Sequence, residues 1–333
     1  MASPTIPLKL SGHSIPQIGL GLWKVPNDCA ADIVYKAIEN GYRHFDGACD
    51  YGNEKEAGQG IARAIKDGLV KREDIFVTTK LWATFYEPYH VEQLCKRQLA
   101  DWGLDYFDLY LIHFPLPLQY VDPAERYPPG WSIAADRWET KTSNVSLATT
   151  WRAMESLVDG GLVKNIGVCN FQGGLLMDLP RSARIPPCML QIEHHPYLVQ
   201  SQLMDLCKDL GIAVTAYSSF GPLSYRDLQI PKAMTASLLF ENDIVASMAT
   251  KHGKRPAQIL LKWAVQRGLI VIPKSNDTTR QKENMDLFSF ELSSEEMNAI
   301  SSLDKGLRFN DPVSPLIQTL SNRLLLLVLS KHW

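Results

Sequence analysis

Apolar residues along this chain alternate between short continuous runs and longer stretches in which they recur every three or four positions. The runs fit strands and the spaced stretches fit helices between them. Ile6 to Leu10 and Ser14 to Ile18, joined through Ser11-Gly12-His13, read as a hairpin placed before the repeat. Gly19 to Trp23 follows as a short first strand, then a helix over about 29–39, a strand ending at Asp46 and a helix over about 54–66. Further strands are expected at 75–80, 107–113, 165–169, 189–193, 213–218 and 269–273. Helices are expected at about 90–101, 147–159, 200–210, 241–252, 256–267, 279–285 and 293–303, with a short one after 169. Phe107 to His113 is apolar almost throughout, as a strand buried on both faces requires, and it ends in a histidine. Two long connections, 115–144 and 220–239, interrupt the alternation.

Eight strand units in one chain of this length predict a (β/α)8 TIM barrel with an N-terminal β-hairpin and long loops at the C-terminal face, in a single domain over 1–333. A dinucleotide fingerprint would have favoured an open doubly wound sheet. Gly19-Leu20-Gly21 lacks the third glycine, and Gly58-Gln59-Gly60 lies inside a predicted helix, so both read as packing glycines.

Composition narrows the function classes. The 333 residues are 45% apolar and 21% charged, with a formal charge of -2 and no basic run. Nucleic acid and anionic membranes are therefore not expected partners, which leaves small-molecule chemistry or protein contact. Cysteines at 29, 49, 95, 169, 188 and 207 form no CxxC pair, and no His cluster has ligand spacing. That predicts no metal site and reduced thiols in a cytoplasmic protein. Met1-Ala2-Ser3-Pro4 does not begin a secretory signal, so the sequon Asn144-Val145-Ser146 carries no weight.

Barrels of this class build their sites at the carboxyl ends of the strands. Asp46 and Tyr51 follow the second strand, Lys80 ends the third, His113 ends the fourth and Asn170 follows the fifth. Gln191 lies in the sixth and Tyr217 ends the seventh. Each has a plain reading: Asp46 could close a turn, Tyr51 could be a half-buried aromatic, Lys80 could be solvated, and His113 could be a satisfied core residue. Their recurrence on successive strands points instead to one polar site. Inward-facing charges need partners, and Asp46 with Lys80 form a natural pair.

These residues, with Gly41-Tyr42-Arg43, Lys80-Leu81-Trp82, Leu111-Ile112-His113-Phe114-Pro115, Gln191 to Tyr197, Ile272 to Asn276 and Leu307 to Pro312, resemble the aldo-keto reductases over about 6–312. The likeness is greatest to the fungal NAD(P)H-dependent D-xylose reductases. It implies reduction of an aldose, D-xylose to xylitol, with NADPH preferred and NADH possible, by a monomer or homodimer. Tyr51 matches the proton donor, and Lys80, held by Asp46, is expected to lower the phenol's pKa. His113 matches the residue that orients the carbonyl. Cys169, Asn170 and Gln191 match contacts to the nicotinamide carboxamide, and Tyr217 the ring that stacks on it. Ser218, Phe220 and Ser224 match the loop over the pyrophosphate. Lys274, Ser275, Asn276 and Arg280 match the pocket for the adenosine ribose and its 2′-phosphate. Trp23, Asp50, His113 and Asn310 match the sugar pocket, although Asp50 could instead cap the turn before Tyr51.

Three positions depart from the resemblance: Cys169 replaces the usual serine, Ala83 the usual asparagine, and 313–333 form an atypical tail with a leucine-rich run. Two alternatives therefore stay open, a reductase of another small aldehyde or ketone and a cofactor-binding regulatory subunit with little turnover.

Overall fold

A computed structural model of the chain describes residues 3–134 and 139–311. The tail expected over 313–333 lies outside the described residues. Strands β1 (Thr5–Leu8) and β2 (His13–Pro16) pair antiparallel. Strands β3 (Leu20–Gly21), β4 (His44–Asp46), β5 (Phe76–Leu81), β6 (Leu109–Ile112), β7 (Ile166–Cys169), β8 (Met189–Glu193), β9 (Ala213–Tyr217) and β10 (Ile270–Val271) pair parallel in chain order as an 8-stranded sheet. Closure comes from the backbone: Gly19 N donates to Val271 O at 2.8 Å and Val271 N to Gln17 O at 3.0 Å. The curled sheet is thus a (β/α)8 barrel preceded by a hairpin, as expected from the pattern.

Crossovers are made by helices α1 (Asn27–Glu39), α2 (Glu54–Lys66), α3 (Pro88–Trp102), α4 (Leu147–Asp159), α5 (Gly173–Ser182) and α6 (Ser201–Leu210). After β9 come α7 (Pro231–Thr235), α8 (Asp243–His252) and α9 (Pro256–Gln266), then α10 (Thr278–Met285) and α11 (Ser294–Ser301). The segment expected as a strand over 107–113 pairs regularly only from Leu109 to Ile112, so His113 stands just beyond the strand end.

Period-two alternation decides what the barrel interior contains. Phe76, Leu109, Leu111, Met189 and Ile270 form one apolar cluster with Leu8 and Ile15 of the hairpin, which therefore plugs the N-terminal mouth. Their neighbours Val77, Tyr110, Ile112, Leu190 and Ile192 belong to the other cluster, against the helices. Moving along the same inward rows toward the carboxyl ends, the residues become Asp46, Lys80, Gln191, Glu193 and Tyr217. The interior thus changes from apolar to polar within one strand length.

Both glycine pairs act in packing. A Cβ at Gly21 would come within 2.5 Å of Ile272 O, and one at Gly58 would collide with the backbone of Trp102, so α2 approaches α3 through that glycine.

At the far side, Glu296 closes a capping box at the start of α11 and pairs with Lys251 at 2.8 Å and His252 at 2.9 Å. Burial pushes its carboxyl up, but Lys251, the Ser293 N–H and His252 outweigh burial and bring it from 4.5 to about 2. A depressed folded-state pKa gives stability that is present above the unfolded value and lost as pH falls through the folded one. Glu296→Gln should therefore lower the melting temperature by roughly 2 °C at pH 7, and thermal melts should converge with the parent's as pH falls from 4.5 toward about 2.

Candidate active site

The floor of the site is a buried ion pair. Lys80 Nζ lies 2.6 Å from Asp46 Oδ1, with the two side chains 0% and 2% exposed. The same ammonium donates to Gly47 O at 2.7 Å and to Tyr51 Oη at 3.3 Å. Asp46 Oδ2 accepts a second bond, from Gln191 Nε2 at 2.7 Å. Donors and acceptors are therefore matched around both charges, the condition for tolerating an ion pair away from water.

Tyr51 reaches this floor on a short 3-10 turn, Cys49–Tyr51, that ends at Gly52 with φ 71. Two buried side chains just downstream anchor the turn. Asn53 Nδ2 donates to Leu22 O and Val25 O, each at 2.9 Å. Glu54 accepts from Thr79 Oγ1 at 2.5 Å, Trp102 Nε1 at 2.8 Å and Gln98 Nε2 at 3.0 Å. Burial pushes the Glu54 carboxyl up to about 7 despite those donors.

One electrostatic expectation is corrected. The Tyr51 phenol is held well above its ordinary value, first by burial and then by the charges of Asp46 and Asp50. Lys80, 3.3 Å from the phenol oxygen, favours the tyrosinate, but burial and the two carboxylates outweigh it. Tyr51 thus keeps its proton at neutral pH.

Beside the phenol, His113 meets Tyr51 edge-on with ring centroids 6.1 Å apart. Its Nδ1 is 3.3 Å from Asp50 Oδ1, but the two atoms are not aligned for a hydrogen bond and neither has another partner. Burial lowers the His113 pKa and Asp50 only partly offsets this, so the ring is neutral near pH 7. Trp82 packs edge-on to His113 at 5.3 Å, and Phe114 stacks on it at 4.7 Å. Trp131, from the long connection after β6, packs on Trp82 at 4.8 Å and lines the same cleft.

A hydrogen-bonded chain joins the remaining strand ends. Asn310 Nδ2 donates to Tyr217 Oη at 3.0 Å, and Tyr217 Oη donates to Asn170 Oδ1 at 2.6 Å. Asn170, at φ 62, passes the connection on by donating Nδ2 to His113 O at 2.9 Å. Cys169 lies fully buried beneath it, where burial pushes its thiol up.

These groups surround a cleft of about 490 Å³. Trp23, Asp46, Asp50, Tyr51 and His113 line its inner end with Asn310, and Asn170, Gln191 and Tyr217 line its side. Ser218, Phe220, Ser224 and Lys274 continue outward. Lys80 and Cys169 sit under the floor, while Ser275, Asn276 and Arg280 lie outside the cleft lining. Ala83 is buried next to Trp82 and does not line it.

Lys24 and Asp227 were not singled out in the sequence, yet they cross the cleft. Lys24 Nζ meets Asp227 Oδ1 at 2.8 Å and Ser224 O at 2.6 Å. Ser218 Oγ donates to Tyr225 Oη at 2.8 Å, and the Tyr225 ring meets Trp23 at 5.8 Å. The segment after β9 is therefore tied across the opening. Adjacent to it, partial burial and the charges of Lys24 and Arg280 pull Lys274 below its ordinary pKa. Arg280 N donates to Asp277 Oδ1 at 2.9 Å at the start of α10. Three cations near one strap carboxylate and a helix N-terminus make that end of the cleft fit a multiply charged anion. Among the described residues, no group of His, Cys, Asp and Glu could hold a metal ion, and no helix is long and apolar enough to cross a membrane.

A barrel with an acid, a phenol, a lysine and a histidine converging at its strand ends defines a class, and the sequence profile of the aldo/keto reductase family matches residues 17–305. The chain belongs to the aldo/keto reductase family, a family of oxidoreductases. It is 60% identical over 313 residues to a probable NAD(P)H-dependent D-xylose reductase of Aspergillus terreus, covering 94% of this chain and 97% of the relative. The NAD(P)H-dependent D-xylose reductase of Aspergillus niger is 58% identical over the same shares. Among solved structures, the aldose reductase of Schistosoma japonicum superposes with a TM-score of 0.80 at 38% identity, covering 91% of this chain and 93% of that one. The Bombyx mori aldo-keto reductase in complex with NADP gives 0.81 at 36% identity, covering 94% and 97%.

Asp46→Ala should leave a buried ammonium unpaired and cost about 3–5 kcal/mol of stability in urea denaturation. Adding Lys80→Met should recover much of that loss. A single variant as stable as the parent would show that the pair does not anchor the floor.

Proposed function

We propose that this aldo/keto reductase is an NADPH-preferring carbonyl reductase of aldoses that converts D-xylose to xylitol. One observation carries the reading: the buried Asp46–Lys80 pair stands against Tyr51 Oη, 3.3 Å from Lys80, at the inner end of a cleft whose outer end is cationic. The relatives named as D-xylose reductases supply the substrate class.

When bound, a reduced nicotinamide supplies hydride to the carbonyl carbon. Asn170 and Gln191 would hold its carboxamide, with Cys169 a weaker partner because a thiol donates poorly. Tyr217 would stack on the ring, while Ser218, Phe220 and Ser224 would cover the pyrophosphate. Lys274 and Arg280, with Ser275 and Asn276, would meet the 2′-phosphate. A dianion there would relieve the mutual repulsion of Lys24, Lys274 and Arg280.

The protein's own part is the proton and the geometry. His113, neutral and beside Tyr51, would hold the carbonyl oxygen and turn it toward Tyr51 Oη. As negative charge grows on that oxygen, the phenol gives up its proton, and the new hydroxyl forms. The tyrosinate left behind is the state in which Lys80 matters, since its ammonium then faces an anion at hydrogen-bond distance. Trp23, Asp50 and Asn310 would hold the sugar's remaining hydroxyls.

A second reading, reduction of another small aldehyde or ketone, is favoured by the aromatic wall of Phe114 and Trp131, which suits apolar substrates. The complete set Asp46, Tyr51, Lys80 and His113 favours turnover over a regulatory role. We further assign the chain as one barrel domain over 1–333, monomeric or homodimeric, in the cytoplasm, where its six free thiols stay reduced.

NADPH oxidation with pentoses, hexoses, aromatic aldehydes and α-dicarbonyls tests the assignment, and preference for a class other than aldoses would replace it. Tyr51→Phe should cut kcat by about 10²–10⁴-fold, the usual worth of a general acid, with NADPH affinity unchanged in a fluorescence titration. Retained turnover at saturating aldehyde would reject the phenol as donor.

Neutralising both Lys274 and Arg280 should weaken NADPH by roughly tenfold or more while changing NADH little, because charge-assisted bonds to phosphate are lost for only one of them. Dissociation constants for both nucleotides decide this, and equal losses would remove the phosphate assignment.

A further inference from the structure

Glu193 takes no part in the chemistry derived above, yet it ends β8 on the inward row and is fully buried. Its carboxylate accepts from Phe309 N at 2.9 Å, Asn310 N at 2.8 Å and His195 Nε2 at 2.9 Å. Its own carbonyl accepts from Gln200 Nε2 at 2.7 Å, and Gln200 Oε1 in turn accepts from Arg308 Nη2 at 2.8 Å. Residues 302–311 contain no helix or strand, so this stretch is placed by such bonds and not by regular structure. Burying a carboxylate is costly unless its oxygens are satisfied, and here the partners that satisfy it include two consecutive backbone N–H groups.

We propose that Glu193 is a positioning residue for substrate affinity: it clamps the backbone at Phe309 and Asn310, and so fixes where the Asn310 side chain enters the cleft. Asn310 then reaches the inner site through Tyr217 and Asn170 to the His113 carbonyl. Phe309, held by the same carboxylate, packs on Tyr225 at 5.8 Å, opposite Trp23. The inference rests on the reading of the cleft as an aldose site, with Asn310 facing the sugar. A clamp of this kind acts on a pocket wall remote from the reacting atoms, so its loss changes substrate binding more than the chemical step.

Glu193→Gln keeps the side-chain volume but turns an amide donor toward the Phe309 or Asn310 N–H. In the full chain, its KM for D-xylose should rise by about tenfold, the scale of one hydrogen bond to a charged group, while kcat stays within about twofold. KM for propanal, which has no hydroxyl to offer Asn310, should not change, and neither should NADPH affinity. On an Asn310→Ala background the same substitution should add nothing to the xylose KM, because both act through one side chain. Glu193→Asp, which withdraws the carboxylate by one methylene, should give an intermediate KM. Additive effects in the double variant, equal losses with propanal, or failure of both Glu193 variants to fold would overturn the proposal.

If the unsubstituted enzyme does not reduce xylose, the proposed function fails instead. The clamp is then judged by hydrogen exchange at the Phe309 and Asn310 amides. Faster exchange in Glu193→Gln supports it, and unchanged exchange overturns it.

Discussion

The structure around the cleft depends on one constraint: an ammonium placed inside a barrel must find its counter-charge there. Lys80 has no exposed side-chain surface and Asp46 almost none. Each is tolerable only because the other is present and because Gln191 and the Gly47 carbonyl complete their hydrogen bonds. The pair ties β4, β5 and β8 together at the level where the inward rows turn polar. Tyr51 is placed against it by a turn whose own anchors, Asn53 and Glu54, reach back to the first strand segment and outward to α3. Geometry at the phenol is therefore a property of the whole upper barrel.

Most of the architecture was legible because helical and strand periods differ and the barrel uses both strictly. The helices at 54–66 and 147–159 and the strand at 189–193 coincide with their expected bounds. Expectation ran long where pairing, not hydrophobicity, sets the limit, as at His113. The glycines of Gly58-Gln59-Gly60 were rightly read as packing residues, since α3 leaves no space for a side chain at Gly58.

Long-range pairing was the part the chain did not reveal. Lys24 with Asp227, Gln191 with Asp46, and Glu193 with the backbone at Phe309 are separated by 203, 145 and 116 positions. No local pattern marks such partners. Trp131 lies in a polar, proline-rich connection, where its aromatic character alone said nothing of the cleft. The direction of the Tyr51 shift was missed for a related reason. A neighbouring cation is visible in the residue types, whereas the burial of the phenol and the closeness of Asp46 and Asp50 to it belong to the folded arrangement.

The hairpin plug has a consequence for traffic. Leu8 and Ile15 fill the lower end with apolar side chains, so among the described residues the cleft opens on the side away from the hairpin. A molecule that enters or leaves on that side passes the tie between Lys24 and Asp227. Arrivals and departures therefore share one threshold, held by an ion pair that stands some distance from the bonds being made and broken.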